Sequence, residues 1–436
     1  MKSQMNFLAG SVWVALVALL LLAITNPAFA EGESDSERLE AVEEKVEALT
    51  DEVGRLESIF AVPEELEFES FSGLGPAASK VYKRESGLSI GGYGEVLLRT
   101  FHGQGNDDKN DVFDALRAVL YVGYKFNEKW VFNSELEFEH GGTGGGGSVS
   151  TEFLTIDYLH SDELNFRAGV LLVPMGFVNE IHEPNFFYGA QRPEVERRIM
   201  PSTWRENGAG IFGTVADRVH YRIYVINGFD GSGFDESGLR GGRQKASRAL
   251  SDDFAFVGRV DVDVTDGLLI GGSVYAGQSG QEQRSASDDP IADALLPDMM
   301  THVYEVHAQY KGNGFSFRGL WSEAFVDEAG AFNRITGGRV ANRMQGWYVE
   351  GGYDILPLFC DTKATLEPFF RFEQWDTQHK TPTGFERDNS QDVNLYVAGL
   401  HFRPIPQVVF KVDYRHFDQR GDSRAHEAQA LVGYVF

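Results

Sequence analysis

The chain of 436 residues contains a single cysteine, Cys360, so it cannot rely on disulfide bonds for its stability. It is also poor in positive charge, because 39 lysine and arginine residues face 65 aspartate and glutamate residues. This acidic excess excludes a nucleic-acid-binding protein, which needs a basic surface for the phosphates. After residue 30 no long apolar run occurs, which excludes helical membrane spans. Membrane β-barrels escape that exclusion, because only alternate residues of their strands face lipid.

The first thirty residues are the apolar exception. Lys2 provides a basic start, residues 7–24 form an apolar run, and Ala28-Phe29-Ala30 fits the small-x-small pattern of a cleavage site. We therefore predict a secretory signal peptide over residues 1–30. The alternative is an uncleaved anchor helix, because the apolar run approaches the length of a membrane span.

Residues 31–60 carry a heptad pattern surrounded by charged residues. The apolar positions alternate between spacings of three and four: Leu39, Val42, Val46, Leu49, Val53, Leu56 and Phe60. The pattern predicts a periplasmic coiled-coil helix over 31–60, followed by a linker over 61–85. Barely three heptads make a marginal coiled coil, so association would depend on barrels that hold the chains together. The alternative is a single amphipathic helix that packs against the rest of the chain.

The stretch 113–140 shows the pattern that organises the remaining sequence. Its first half alternates a more polar row with an apolar row, which consists of Leu116, Ala118, Leu120, Val122, Tyr124 and Phe126. A tight turn at 127–129 leads into a second alternating segment whose apolar row is Trp130, Phe132, Leu136 and Phe138. Alternation with a period of two predicts an antiparallel hairpin. Aromatic residues gather at the strand ends, as in the interfacial girdles of membrane barrels.

About sixteen such strands follow one another between residues 86 and 436. Short turns alternate with long polar loops, the clearest of which are 229–253, 280–300, 327–343 and 376–390. Short periplasmic turns and long external loops are typical of outer-membrane barrels. We therefore predict an all-β fold, a transmembrane antiparallel barrel of about sixteen strands over 86–436. It would lie in a bacterial outer membrane, in contact with lipid and lipopolysaccharide.

The third long loop, 177–203, differs from an ordinary external loop. It is rich in aromatic residues and paired charges, whereas 141–148 is rich in glycine. This composition predicts a loop that packs against another part of the protein. Together with 113–140 and 167–176, residues 179–205 resemble the phosphate-selective porin O/P-like family of bacterial outer-membrane porins. The resemblance implies a homotrimeric diffusion channel for small ions and polar solutes. It also implies that the third loop folds into the lumen and sets the narrowest point.

Two groups of residues are candidates for lining such a pore. The candidate constriction consists of Glu180, His182, Glu183, Arg192, Glu194, Glu196, Arg197, Arg198 and Arg205. The candidate pore wall consists of Arg99, Arg117, Glu135, Glu137, Arg167, Arg259, Arg318, Arg371 and Arg415. Acids and bases on the predicted inner face are nearly balanced, whereas phosphate-selective relatives rely on dense arginine and lysine. We therefore expect a weakly selective porin; the alternatives are a phosphate- or anion-specific channel and a structural anchor that acts through the N-terminal helix.

Patterns for catalysis, metal binding or cofactors are weak. Gly421-Asp422-Ser423 with His426 suggests a hydrolase serine, but it has no oriented partner. His182 beside Glu180 and Glu183 does not have the spacing of zinc ligands. We expect no enzymatic activity, no cofactor and no resident metal.

Overall fold

The computed structural model describes residues 39, 41–51, 70–103, 106, 109–285, 294–420 and 423–436. The chain divides into two units, residues 1–64 and residues 65–436. In the first unit, residues 41–51 form a helix whose heptad side chains Val42, Val46 and Leu49 are exposed. The signal peptide and the remaining heptad positions, apart from Leu39, lie outside the described residues. No helix in the described ranges combines the length and apolarity needed to cross a bilayer.

The second unit contains a closed antiparallel barrel of sixteen strands, which confirms the predicted fold class. Each strand pairs with its neighbours in sequence, and β1 pairs with β16 to close the sheet. The strands are β1 (Gly87–His102), β2 (Val112–Lys125), β3 (Trp130–Glu139), β4 (Ser148–Leu159), β5 (Asn165–Leu172), β6 (Arg205–Val215), β7 (Val219–Asn227), β8 (Phe254–Thr265), β9 (Leu268–Gly277), β10 (Thr301–Gly312), β11 (Phe315–Val326), β12 (Arg343–Tyr353), β13 (Thr365–Lys380), β14 (Asp392–Ile405), β15 (Val408–Gln419) and β16 (Ser423–Val435).

Side chains alternate between the two faces of this sheet, as the period of two requires. Apolar side chains such as Val96, Leu98 and Val432 are exposed on the outside, although they are hydrophobic. Aromatic rings form a row across adjacent strands, with Trp347 and Phe372 centroids 5.1 Å apart and those of Phe372 and Tyr396 5.0 Å apart. An apolar band with aromatic rows is the outer surface that a lipid bilayer covers.

One predicted apolar row is broken by a β-bulge. The register between β1 and β2 shifts between Glu95 and Leu97, and Leu116 packs against the buried cluster of Leu97, Ala190 and Leu431. The assignment of Leu116 to the outward row with Ala118 is therefore wrong. A bulge inserts one residue into a strand and reverses the side-chain parity beyond it.

Short helices lie outside the strands. They are the α-helices Pro76–Ser79, Glu194–Arg198 and Ala329–Thr336 and the 3₁₀ helices Lys80–Lys83, Pro184–Phe186, Gly231–Gly233, Arg240–Gly242, Leu356–Leu358 and Asn389–Gln391. The helices Pro76–Ser79 and Lys80–Lys83 lie within the stretch 61–85 that was expected to be a linker. Residues 76–83 are therefore helical and mostly buried instead of forming an extended connection.

Candidate functional site

Loop L3 (residues 173–204) joins β5 to β6 and bonds to strands on opposite sides of the barrel. The bonds are His182 Nε2 with Glu135 Oε1 of β3 at 2.9 Å, Val195 N to Glu373 Oε2 of β13 at 3.0 Å, and Lys411 Nζ of β15 to Phe187 O at 2.7 Å. Because β3 and β13 are far apart in the strand order, a loop that touches both lies within the lumen.

Aromatic contacts fasten L3 along its length. The ring of Phe177 meets His307 edge to face at 4.6 Å, and Tyr188 stacks on Phe369 at 5.1 Å. The Lys411 ammonium lies 3.7 Å from the centroid of Phe187, a cation–π distance. Phe187 and Tyr188 are buried, so these rings remove apolar surface from the lumen.

The helix Glu194–Arg198 brings two acids of L3 to different partners. Glu194 Oε1 accepts a bond from Arg415 at 2.9 Å, and although burial raises the pKa of Glu194, the arginines around it hold that pKa below its ordinary value. Glu196 accepts bonds from Tyr348 OH at 2.7 Å and from Val178 N at 2.8 Å, and burial raises its pKa to about 7. Glu194 is thus the anion of this helix, whereas Glu196 is partly neutral at neutral pH.

His182 and Glu183 were predicted to carry charge at the constriction, but burial keeps both side chains largely uncharged at neutral pH. Burial and the neighbouring Arg192 lower the pKa of His182 to about 3, so its imidazole is neutral above pH 5. Burial raises the pKa of Glu183 to about 8, so this carboxyl is mostly protonated at pH 7. Both groups hold L3 in place rather than present charge to a passing ion.

The predicted wall residues each pair with an opposite charge or a histidine. The pairs are Arg99–Glu427 at 2.7 Å, Arg117–Glu95 at 3.2 Å, Arg117–Glu137 at 3.6 Å, Glu135–His182 at 2.9 Å, Arg167–Asp157 at 2.8 Å, Arg259–Asp261 at 2.8 Å, Arg318–Glu350 at 3.5 Å, Arg371–Glu373 at 2.9 Å and Arg415–Glu427 at 2.8 Å. Much of the wall charge is therefore neutralised in place.

A cavity of about 240 Å³ lies on the side of L3 that faces the long loops, and we call it the external chamber. Arginines predominate among its charged lining residues: Arg99, Arg117, Arg192, Arg197, Arg240 and Arg415, with Glu95, Glu139 and Glu194. The Arg197 side chain is half exposed there. Arg198 is about one-third exposed and shares Glu194 with Arg197. Arg205 is buried and pairs with Glu152 at 2.7 Å.

Loop L4 (residues 228–253) contributes two arginines that the sequence reasoning missed. Arg240 donates to the carbonyl oxygen of Ser202, and Arg243 donates to the carbonyl oxygen of Thr203 at 2.5 Å. Burial and neighbouring arginines lower the pKa of Arg240 to about 9 and that of Arg243 to about 10. Among the described residues, neither guanidinium lies within hydrogen-bond distance of a carboxylate, so Arg240 and Arg243, which we call the arginine rim, form an electropositive edge of L4. The segment 240–243, Arg-Gly-Gly-Arg, is the signal that a sequence reading could have used.

A second cavity of about 330 Å³, the inner chamber, lies toward the short turns. Its charged lining mixes both signs: Glu180, Arg222, Arg259, Asp261, Lys311 and Arg318. Glu180 Oε1 forms an ion pair with Arg222 Nε at 3.3 Å, and Asp261 pairs with both Arg222 and Arg259. Basic residues outnumber acidic ones in both chambers, six to three in the external chamber and four to two in the inner chamber. Within the described ranges, no group of histidine, cysteine and acidic residues is arranged to hold a metal ion.

Comparison with known proteins gives one relative and several similar folds. No family model matches the sequence. An uncharacterized protein of Aquifex aeolicus (strain VF5) is 33% identical over 385 residues, which cover 85% of this chain and 84% of the relative. In each of two solved structures the match covers 81% of this chain and all of the other. These are the anion-selective porin from Comamonas acidovorans (TM-score 0.52, 11% identity) and a trimer form of the outer-membrane protein OmpT of Vibrio cholerae (TM-score 0.51, 12% identity). These similarities support the porin-like barrel, while membership in the phosphate-selective O/P-like family stays a prediction.

Proposed function

The chain belongs to the same family as the Aquifex aeolicus protein, and we propose that it is an outer-membrane porin for passive diffusion of small hydrophilic solutes and ions. The observation that carries this proposal is the lumen itself. A closed sixteen-stranded barrel holds a loop across its interior, and charged chambers lie on both sides of that loop. Barrels of this strand number enclose aqueous channels.

The charge arrangement supports weak selectivity. In the inner chamber, Glu180 and Asp261 pair at close range with Arg222 and Arg259, which weakens the field of these four groups on a passing ion. In the external chamber, Arg192, Arg197 and Arg240 outnumber nearby free acids and favour anions at the entrance. Local rings of charge, rather than the net charge of the whole chain, set the field in a pore. We propose a channel with a modest anion preference.

Planar-bilayer recordings test this function directly. The purified protein should give stepwise currents, and the reversal potential in a potassium chloride gradient should indicate a modest chloride preference. Liposomes that contain the protein should swell in small sugars. Protein that is folded by circular dichroism but gives neither current nor swelling would overturn the proposal.

Removing the external arginines should shift selectivity toward cations. A unit charge about 8 Å from an ion contributes roughly 0.5 kcal/mol in water, which is about a twofold change in relative permeability. We therefore expect Arg197→Ala with Arg240→Ala to lower the chloride-to-potassium permeability ratio at least about twofold at low salt. Arg420→Ala is the matched control, because Arg420 is exposed and pairs with Asp392 outside this chamber. An unchanged ratio in the double variant would show that permeating ions do not pass the arginine rim.

The electropositive rim also supports a second candidate, a phosphate- or anion-specific channel. Arginines without paired carboxylates are suited to bind oxyanions through several hydrogen bonds. If phosphate binds at the rim, millimolar phosphate should reduce the chloride current until the site is full, and this saturable inhibition would favour the anion-specific channel. A current that scales linearly with salt, with equal permeation of phosphate and chloride at matched charge, would favour the general porin.

The exposed heptad face supports self-association of the N-terminal helix in the periplasm, and we propose a homotrimer. Leu39, Val42, Val46 and Leu49 are between 46% and 61% exposed in the single chain, so a partner helix would bury them. In a Cys360→Ser background, Leu49→Cys should form intermolecular disulfides, whereas Glu44→Cys on the opposite helix face should form few. Only monomers from Leu49→Cys would contradict the association. Loss of function on deleting 31–60, with conductance intact, would favour the structural anchor instead.

A further inference from the structure

Residues 71–84, which we call the plug segment, lie inside the barrel. Ala78 O accepts a bond from Asn133 Nδ2 of β3 at 2.8 Å, and Ala77 N donates to Glu183 Oε1 of L3 at 3.0 Å. The plug segment therefore touches both the wall and the constriction loop. It leads directly into β1, so it enters from the end of the barrel where the short turns lie.

The barrel wall that contacts the plug segment consists of apolar side chains, unlike the polar wall of a water-filled channel. Leu74, Ala77, Ala78, Val81 and Tyr82 form one buried cluster with wall side chains, among them Tyr93, Val119, Tyr121, Val131 and Phe153. In an open pore, these wall residues would face water. Apolar area loses about 25 cal/mol per Å² of stabilisation when it is exposed, so the wall is built to be covered.

Two wall glycines make room for the plug segment. A Cβ on Gly123 of β2 would lie 2.7 Å from Val81 Cβ, and a Cβ on Gly91 of β1 would lie 2.8 Å from Ala77 O. Both distances are shorter than a Cβ tolerates from another heavy atom, so a bulky side chain at either position would push the plug segment away from the wall. The close approach depends on these two glycines.

A buried polar contact fixes the far end of the plug segment. Tyr82 OH donates to Asp157 Oδ2 at 2.7 Å, and Arg167 donates to the same hydroxyl at 3.2 Å. Lys125 Nζ donates to Tyr82 O at 3.1 Å. Three strands, β2, β4 and β5, thus hold one tyrosine.

The start of the plug segment faces the inner chamber. Ser72 and Gly73, with the preceding Ser70, line it. A Cβ on Gly73 would meet Glu180 Oε1 at 2.6 Å and an Arg222 nitrogen at 2.7 Å. The backbone at Gly73 therefore lies directly against the charged pair of this chamber.

We infer that the plug segment is a second constriction, which sets the size limit of the inner half of the pore and positions L3 through Glu183. This inference rests on the proposed channel function, because a size limit has meaning only for a conducting pore. Solutes would pass between the plug segment and the wall of β6–β11, where the inner chamber lies.

Displacing the plug segment tests the inference. In a Cys360→Ser background, Gly123→Val should raise single-channel conductance roughly twofold or more, since displacing the plug segment widens the aqueous path on the inner side of L3. Larger sugars should then enter liposomes. The matched control is Gly319→Val, because the nearest atom to a Cβ at Gly319 is 3.7 Å away. Gly123→Val combined with Val81→Gly exchanges the two sizes and should restore the parent conductance.

A cross-link tests the position independently of current. Val81→Cys with Gly123→Cys should form a disulfide. A shift of about 1 Å would widen the distance between the two Cβ positions from 2.7 Å to the roughly 3.8 Å found across a disulfide bond. Locked protein should conduct like the parent, and deletion of 71–84 should conduct like Gly123→Val. Failure to cross-link in folded protein would overturn the inference, and so would parent-like conductance after deletion. Absence of current from every variant, with the cross-link formed, would instead contradict the porin function and leave no size limit to set.

Discussion

Replacing Arg371 by methionine is expected to destabilise the barrel by about 3–5 kcal/mol, because it leaves a buried carboxylate without a cation. Arg371 and Glu373 are fully buried and pair at 2.9 Å. Glu373 also accepts the bond from Val195 N that attaches the helix of L3. The substitution should therefore destabilise the attachment of L3 as well as the barrel wall.

Urea unfolding of the protein in lipid vesicles measures this effect. Arg420→Met is the control and should cost about 0–1 kcal/mol, since its pair with Asp392 at 3.2 Å is exposed. Adding Glu373→Gln to Arg371→Met should recover part of the loss, because the uncompensated charge is gone. Equal stabilities of Arg371→Met and the parent protein would show that Glu373 finds another partner.

Replacing Trp204 by alanine should cost about 3–5 kcal/mol in the stability of the loop region rather than of the whole sheet. Trp204 is buried at the end of L3 and stacks on Phe229 of L4 at 4.5 Å, with Tyr275 at 5.0 Å. Its removal leaves a cavity where the two loops meet. L4 should loosen, and the arginine rim with it.

Hydrogen exchange by mass spectrometry localises this effect. Peptides from 228–253 should lose protection in Trp204→Ala, while peptides from β14 and β15 should keep theirs. Trp130→Ala is the control, because Trp130 is 45% exposed on the outer surface. Uniform loss of protection across all strands would mean that Trp204 stabilises the barrel as a unit.

The sixteen strands were predictable because their signal is local. Alternation with a period of two is present within each strand and needs no knowledge of neighbours. Leu116 shows the limit, since a bulge in the pairing of β1 and β2 turns it inward. The alternating apolar pattern around Leu116 does not indicate that a bulge is present.

The plug segment was not predictable because its fit depends on distant positions. Residues 71–84 are too short to show a helical period, and Gly91 and Gly123 look like ordinary strand glycines. The charge states of His182 and Glu183 are also tertiary properties. Their pKa values follow from burial, which the sequence of a loop does not reveal.

The pairing of β1 with β16 has a consequence for how the protein is made. Tyr93 pairs with Val435, so the last ladder joins residues from opposite ends of the barrel sequence. Until that seam forms, the growing sheet has two free edges whose backbone groups invite pairing with other chains. Chains whose barrel has not yet closed are therefore the ones most prone to associate through these edges, and closure of the seam removes both edges at once.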